Sequence, residues 1–157
     1  MFGLFKKNKE SYRSFGTGTV LALKDVPDQV FSTKMMGDGY ALELTEGKVY
    51  APISGDVTLV FPTGHAFGIT DASGVEMLIH LGIDTVELNG KGFNGVVKQG
   101  DKVNQGDLLT TVDLDYIREN GKSLISPFIL TSGQSITLLK EGESVTSESE
   151  DIFSINA

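Results

Sequence analysis

Cysteine is absent from the 157-residue chain, which excludes a disulfide framework and a thiolate metal site and fits a cytoplasmic protein. Long hydrophobic runs are absent too. No apolar stretch approaches the roughly 18–20 residues that a membrane helix needs. Met1 to Lys7 places its lysines after a very short apolar patch, the reverse of a secretory signal. Basic residues are in deficit: 13 Lys and Arg stand against 21 Asp and Glu, a formal net charge of −8. That argues against nucleic acid, whose phosphates need a basic face. It favours a basic protein partner drawn in by long-range attraction. Several catalytic signatures are also missing. There is no Gly-x-x-x-x-Gly-Lys loop for nucleotide phosphates, no Gly-x-Ser-x-Gly elbow and no His-Glu-x-x-His helix.

What is plentiful is glycine, with 19 residues, far more than a helical bundle uses. From Gly16 onward, short β-branched and apolar runs alternate with Gly, Pro and Asp. Strands are expected at Thr17–Leu23, at Val30-Phe31 after the Asp25–Asp28 turn, and at Tyr40–Leu44, Val49–Ala51 and Val57–Phe61. Further strands are expected at Ala66–Thr70, Val75–Ile79, Thr85–Leu88, Gly95–Val97, Leu108–Val112, Pro127–Leu130 and Ile136–Leu139. Asp113 to Gly121 is the one predicted helix, one or two turns from an Asp cap to a Gly stop. The fold class that follows is all-β, an antiparallel sandwich or barrel-like domain with at most short helical turns. Its expected limits are 16–140. Residues 1–15 form a flexible N-terminal segment, whose Phe2, Leu4 and Phe5 beside Lys6, Lys7, Lys9 and Arg13 offer at most peripheral membrane contact through residues 1–13. Residues 141–157 form an acidic, serine-containing tail in which Ile152, Phe153 and Ile155 are able to tuck back.

The chain has two histidines, and they flank one predicted hairpin. With Asp71-Ala72-Ser73-Gly74 as a symmetric turn, Thr70 would oppose Val75, Phe67 would oppose Leu78, and His65 would stand opposite His80. Directly opposed Cβ atoms lie roughly 4.5–5.5 Å apart, near enough for both rings to meet one small group. Three chemistries suit such a pair. Zinc would need a third ligand, here a carboxylate such as Asp84, Glu76 or Asp38. A serine triad would have to use Ser73, at the far end of the hairpin from both rings. Phosphoryl transfer needs neither metal nor nucleotide, since one imidazole nitrogen attacks and the second ring supports the arriving anion. Physical reasoning ranks it first.

At these residues the sequence resembles the glucose-type enzyme IIA family of the bacterial phosphoenolpyruvate-dependent sugar phosphotransferase system. The matching segments are Val26-Pro-Asp28 with Val30-Phe31, Gly37-Asp-Gly39, Ala51-Pro-Ile-Ser-Gly55, Thr63-Gly-His-Ala-Phe67 and Gly74 to Leu88. Gly90-x-Gly-Phe93 and Gly100-Asp-x-Val-x-x-Gly-Asp107 extend the match. The resemblance implies a sandwich or barrel built on a duplicated hybrid motif, with both histidines in a shallow depression. His80 is then the phosphoacceptor through Nε2 and His65 the stabilising imidazole. Thr63 orients His65, and the Gly82 carbonyl holds the Nδ1 proton of His80. Asp28 and Asp84 correspond to rim carboxylates suited to partner arginines. Val30, Phe31, Met36, Phe61, Phe67, Leu78 and Val86 correspond to an apolar docking patch, with Phe31 at its rim rather than in the core.

The implied activity is that of a phosphoryl carrier, without metal or cofactor. It accepts phosphate from the histidine-containing phosphocarrier protein HPr and passes it to an EIIB domain for sugar uptake. Gly64 stands where the family often has asparagine, and Ser32-Thr33 replace patch-rim residues, departures that bear on partner choice. The sugar is not encoded here. Two rivals from other classes are a zinc-dependent peptidase-like hydrolase on a related β-hybrid fold and a non-catalytic regulatory binding module.

Overall fold

Alternation along the central strands explains the architecture. In Asp38–Leu44, the residues Tyr40, Leu42 and Leu44 join the main core while Ala41 joins a second, smaller cluster. In Glu76–His80, Met77 and Ile79 face the main core and Leu78 the other side; in Ile125–Leu130, Phe128 and Leu130 do so and Ile129 does not. Period-two side-chain placement thus gives these strands two buried faces.

A computed structural model describes residues 10–156. Among these, thirteen strands run in chain order: β1 (Gly18–Ala22), β2 (Asp38–Leu44), β3 (Lys48–Tyr50), β4 (Gly55–Val60), β5 (Ala66–Asp71), β6 (Glu76–His80), β7 (Phe93–Gly95), β8 (Lys102–Val103), β9 (Leu108–Val112), β10 (Ile125–Leu130), β11 (Ile136–Leu138), β12 (Ser144–Val145) and β13 (Phe153–Ile155). Two short helices are α1 (Gln29–Ser32) and α2 (Leu114–Glu119). The largest sheet has the order β12-β1-β2-β10-β6-β5-β4-β8, beside a three-stranded sheet β3-β9-β7 and a pair β11-β13. The pairings within all three sheets are antiparallel. Val49 of β3 and Leu109 and Val112 of β9 share one core with Val20, Leu42, Phe67, Ile79 and Phe128 of the large sheet. The fold is an all-β sandwich.

Four local expectations need correction. The first concerns α1, which replaces the strand expected at Val30-Phe31. Asp28 caps the helix, its Oδ1 accepting from the Val30 N–H at 2.8 Å, which buries Phe31 and leaves Val30 outside. Next, Thr85–Leu88 is a 3-10 turn rather than a strand. Thr85 and Leu88 are buried three residues apart, the spacing of that helix, with Val86 in solvent.

The third correction is the hairpin register: Ala66, not His65, opposes His80, and Phe67 opposes Ile79. Asp71 and Val75 close the loop instead of Thr70 and Val75. The Asp71 Oδ1 accepts from the N–H groups of Ser73 and Val75, and Gly74 takes φ +93°. The turn therefore spans three residues rather than four, which changes its parity. The fourth is the acidic segment after 140, which is not a solvated tail. β12 pairs with β1, β13 pairs with β11, and Val145, Ile152 and Phe153 are buried in the main core. At the other end, Phe15 is fully buried and Arg13 bridges to Glu150. The membrane contact expected of residues 1–13 falls for the most part, at residues 1–9, outside the described residues.

Candidate functional site

The site grows from the second, smaller cluster, on the face of the large sheet away from the main core. Ala66 of β5, Leu78 of β6 and Ile129 of β10 form its floor, and Leu23, Val26, Phe31 and Ile83 pack over it. His80 ends β6 on the same face as Leu78, two residues along. His65 lies outside the strand, just before Ala66. Gly64 at φ +73° turns the chain there, so His65 escapes the strand's alternation and reaches the face it would otherwise turn from. The rings meet with centroids 5.0 Å apart and planes at 78°. The register differs from the expected one by one residue, yet the two imidazoles are juxtaposed.

Each ring is fixed through Nδ1. The Nδ1 of His80 lies 2.8 Å from the Gly82 carbonyl oxygen. A carbonyl only accepts, so this nitrogen carries the proton and Nε2 holds the free lone pair. The Nδ1 of His65 is 2.6 Å from the Thr63 hydroxyl. Aromatic rings wall the pair: Phe31 lies 5.1 Å from His80, Phe61 meets His65 edge-on at 5.2 Å, and Phe93 stands 6.4 Å from His65. Burial disfavours the charged form of both imidazoles. His65 is pushed down to about 4, first by burial and then by the neighbouring His80. His80 is also lowered by burial, against opposing pulls from the Gly82 carbonyl, Asp28 and Asp84. Both rings are neutral near pH 7, and His80 is nucleophilic through Nε2.

The remaining predicted residues divide. Asp28 caps α1 and Asp84 sits at φ +59° before the 3-10 turn, both near enough to bias the protonation of His80. Val30, Met36 and Val86 are exposed. Phe31, expected at the rim, is 6 % exposed and belongs to the cluster beneath the site. Leu78 is likewise buried there, and Phe67 faces the main core across the sheet, so neither meets solvent. Of the carboxylates considered as a third zinc ligand, Asp38 accepts from the Ile136 and Gly39 N–H groups and pairs with Lys34. Glu76 lies at the opposite end of β6 from His80. No group of three His, Cys, Asp or Glu among the described residues is placed to hold a metal ion. Thr85 and Ser126, buried hydroxyls beside Gly82, were missed. Ser126 lies 44 residues from Gly82 in sequence, and no local signal links them.

Two neutral imidazoles, each held through Nδ1, share an apolar depression on an antiparallel sandwich, an arrangement chemically suited to phosphoryl transfer through a histidine. The comparisons with known proteins supply the family. Residues 10–136 match the family described as phosphoenolpyruvate-dependent sugar phosphotransferase system, EIIA 1, and the chain belongs to that family of phosphotransfer components. It is also similar to a solved structure, the glucose permease IIA from Mycoplasma capricolum. The two share 40 % identity over 89 % of this chain and 96 % of that one, with a TM-score of 0.78. Among the described residues no helix is long and apolar enough to cross a membrane.

Proposed function

We propose that the protein carries a phosphoryl group on Nε2 of His80, taken from phosphorylated HPr and handed to an EIIB domain during sugar uptake. The observation that carries this reading is the hydrogen bond from the His80 Nδ1 to the Gly82 carbonyl, which leaves Nε2 as the one nucleophilic atom of that ring. In the accepting step the Nε2 lone pair forms a new N–P bond as the bond from phosphorus to the carrier's imidazole breaks, and the leaving ring keeps that electron pair. Attack leaves positive charge on the His80 ring. The Gly82 carbonyl and the carboxylates of Asp28 and Asp84 favour that charge. His65 supports the equatorial oxygens in flight. For this the Thr63 hydroxyl donates to Nδ1 of His65, so that Nε2–H of His65 points its proton at the anion. Exposed Val30, Met36 and Val86 form an apolar rim for docking, and Asp28 and Asp84 meet basic groups of the partner. The reading places the protein in the cytoplasm, where those partners act.

The test is incubation with phosphoenolpyruvate, enzyme I and HPr, followed by intact-mass measurement. One acid-labile phosphoryl group is expected, and none in His80→Ala. Labelling retained by His80→Ala would overturn the assignment. Failure of the unmodified chain to accept phosphate would favour a purely regulatory module.

A further inference from the structure

Gly82 is held more completely than packing alone requires. Two peptide groups flank it, and all four of their polar atoms have partners. In the first, the Leu81 carbonyl accepts from the Thr85 hydroxyl at 2.7 Å and the Gly82 N–H donates to the Ser126 hydroxyl oxygen at 3.0 Å. In the second, the Gly82 carbonyl accepts from His80 Nδ1 at 2.8 Å and the Ile83 N–H donates to the Ser123 carbonyl at 3.3 Å. The hydroxyl proton of Ser126 is itself committed to the Leu124 carbonyl at 3.1 Å, which turns its lone pair towards Gly82. Thr85 and Ser126 have no exposed surface. Gly82 adopts φ +78°, and a Cβ there would stand 2.6 Å from the Thr85 methyl and 2.8 Å from the Ser123 carbonyl oxygen. Only glycine fits, and glycine is the residue with the most alternative backbone states. Something must hold it.

We infer that Thr85 and Ser126 form a hydroxyl clamp: positioning residues that fix the left-handed Gly82 and thereby aim its carbonyl at Nδ1 of His80. Resting on the phosphoryl-carrier reading, the clamp acts through the tautomer: it keeps the proton on Nδ1 and the lone pair on Nε2 before any partner arrives. Without it the carbonyl swings, the proton redistributes between the ring nitrogens, and a fraction of the molecules present no nucleophile. Groups of this kind, one step removed from the reacting atom, typically change activity about tenfold or more when removed.

The test uses the full chain with isotope-labelled histidine and the variants Ser126→Ala, Thr85→Val and Ser126→Thr. Three quantities are read: the His80 ring-nitrogen NMR shifts, the single-turnover rate of phosphate acceptance from HPr, and the unfolding midpoint. Ser126→Ala and Thr85→Val should each move His80 from the Nδ1–H form towards a mixture and slow acceptance about tenfold. Ser126→Thr, which keeps the oxygen, should restore both. Unchanged ring shifts in both hydroxyl-less variants, even with a lowered midpoint, would overturn the clamp. If one variant fails to fold, the other still decides. If the unmodified chain accepts no phosphate, the carrier reading fails on its own, and the ring shifts judge the clamp independently.

Discussion

The two faces of the large sheet are furnished by the same strands and reach opposite ends. On one face Phe15, Tyr40, Phe128 and Phe153 meet with ring centroids between 5.2 and 6.2 Å. On the other, Phe31, His80, His65 and Phe61 meet at 5.0 to 5.2 Å. Spacing is nearly the same, so contact density does not separate them. The cover does. The first face is closed by a second sheet, with Val49, Leu109 and Val112 packed over it. The second is roofed by α1 and the turn after His80, elements of four residues each. Short roofs leave edges, and the exposed Val30, Met36 and Val86 are those edges. Stability is concentrated where the layers close, and chemistry where they do not.

The sharpest way to break this contrast is to truncate one ring on the closed face. Phe128→Ala should cost about 3–5 kcal/mol of stability, read by denaturant unfolding. The fraction still folded should accept phosphate at the ordinary rate. His65→Gln should do the reverse. The amide donates a bond similar to that of the ring, so acceptance should persist, while onward transfer to EIIB should slow about a hundred- to a thousandfold, a barrier change of about 2.7–4 kcal/mol. Onward transfer at the unmodified rate would remove His65 from its supporting role, and single-turnover kinetics in both directions decide it.

A smaller effect belongs to pH. His65 is held near 4 in the fold against an ordinary 6.5. Between those values the unfolded chain binds a proton that the folded chain does not. Stability present above about pH 6.5 is therefore lost as pH falls towards 4, by at most about 3 kcal/mol. The lowered His80 acts in the same direction. Urea unfolding near neutral pH and in mild acid should show a smaller acid loss in His65→Gln than in the unmodified chain. The smallest effect tests the closed face again. Among the described residues the fully buried Tyr40 hydroxyl has no partner at good hydrogen-bond geometry; the Ser14 hydroxyl beside it gives its proton to the Gly16 carbonyl. Tyr40→Phe should leave stability unchanged or raise it by about 1 kcal/mol, measured as a thermal midpoint.

Much of this contrast was legible in the sequence. Strands such as Tyr40–Leu44, Ala66–Thr70 and Leu108–Val112 are recognisable because period-two alternation and Gly-Asp punctuation are local signals. Asp113 and Gly121 bracket α2 for the same reason. The predicted cross-strand pairing of His65 with His80 fails, because Ala66 takes that place, yet the two rings still meet. Counting residues between strands cannot reveal that the Asp71 side chain closes a three-residue loop. Nor does it show that Gly64 then returns His65 to the site. Thr85–Leu88 misled because a buried-exposed-exposed-buried turn and a short strand share composition. Phe31 misled because a family resemblance names a residue without its depth. Thr85 and Ser126 were invisible for a deeper reason: their partner is backbone, and backbone leaves no letter in a sequence.

The C-terminal strands have a practical consequence for handling the protein. β12 is the outermost strand of the large sheet and lies along β1, and the Glu143 carbonyl accepts from the Val20 N–H. A chain ended at Lys140, where the acidic composition invites trimming, would lose Val145, Ile152 and Phe153 from the core together with that strand. It would bare the backbone edge of β1, a five-residue strand rich in β-branched and apolar residues. An uncovered edge of that kind templates pairing with another molecule. Shortening this protein at its tail should therefore promote self-association through that edge.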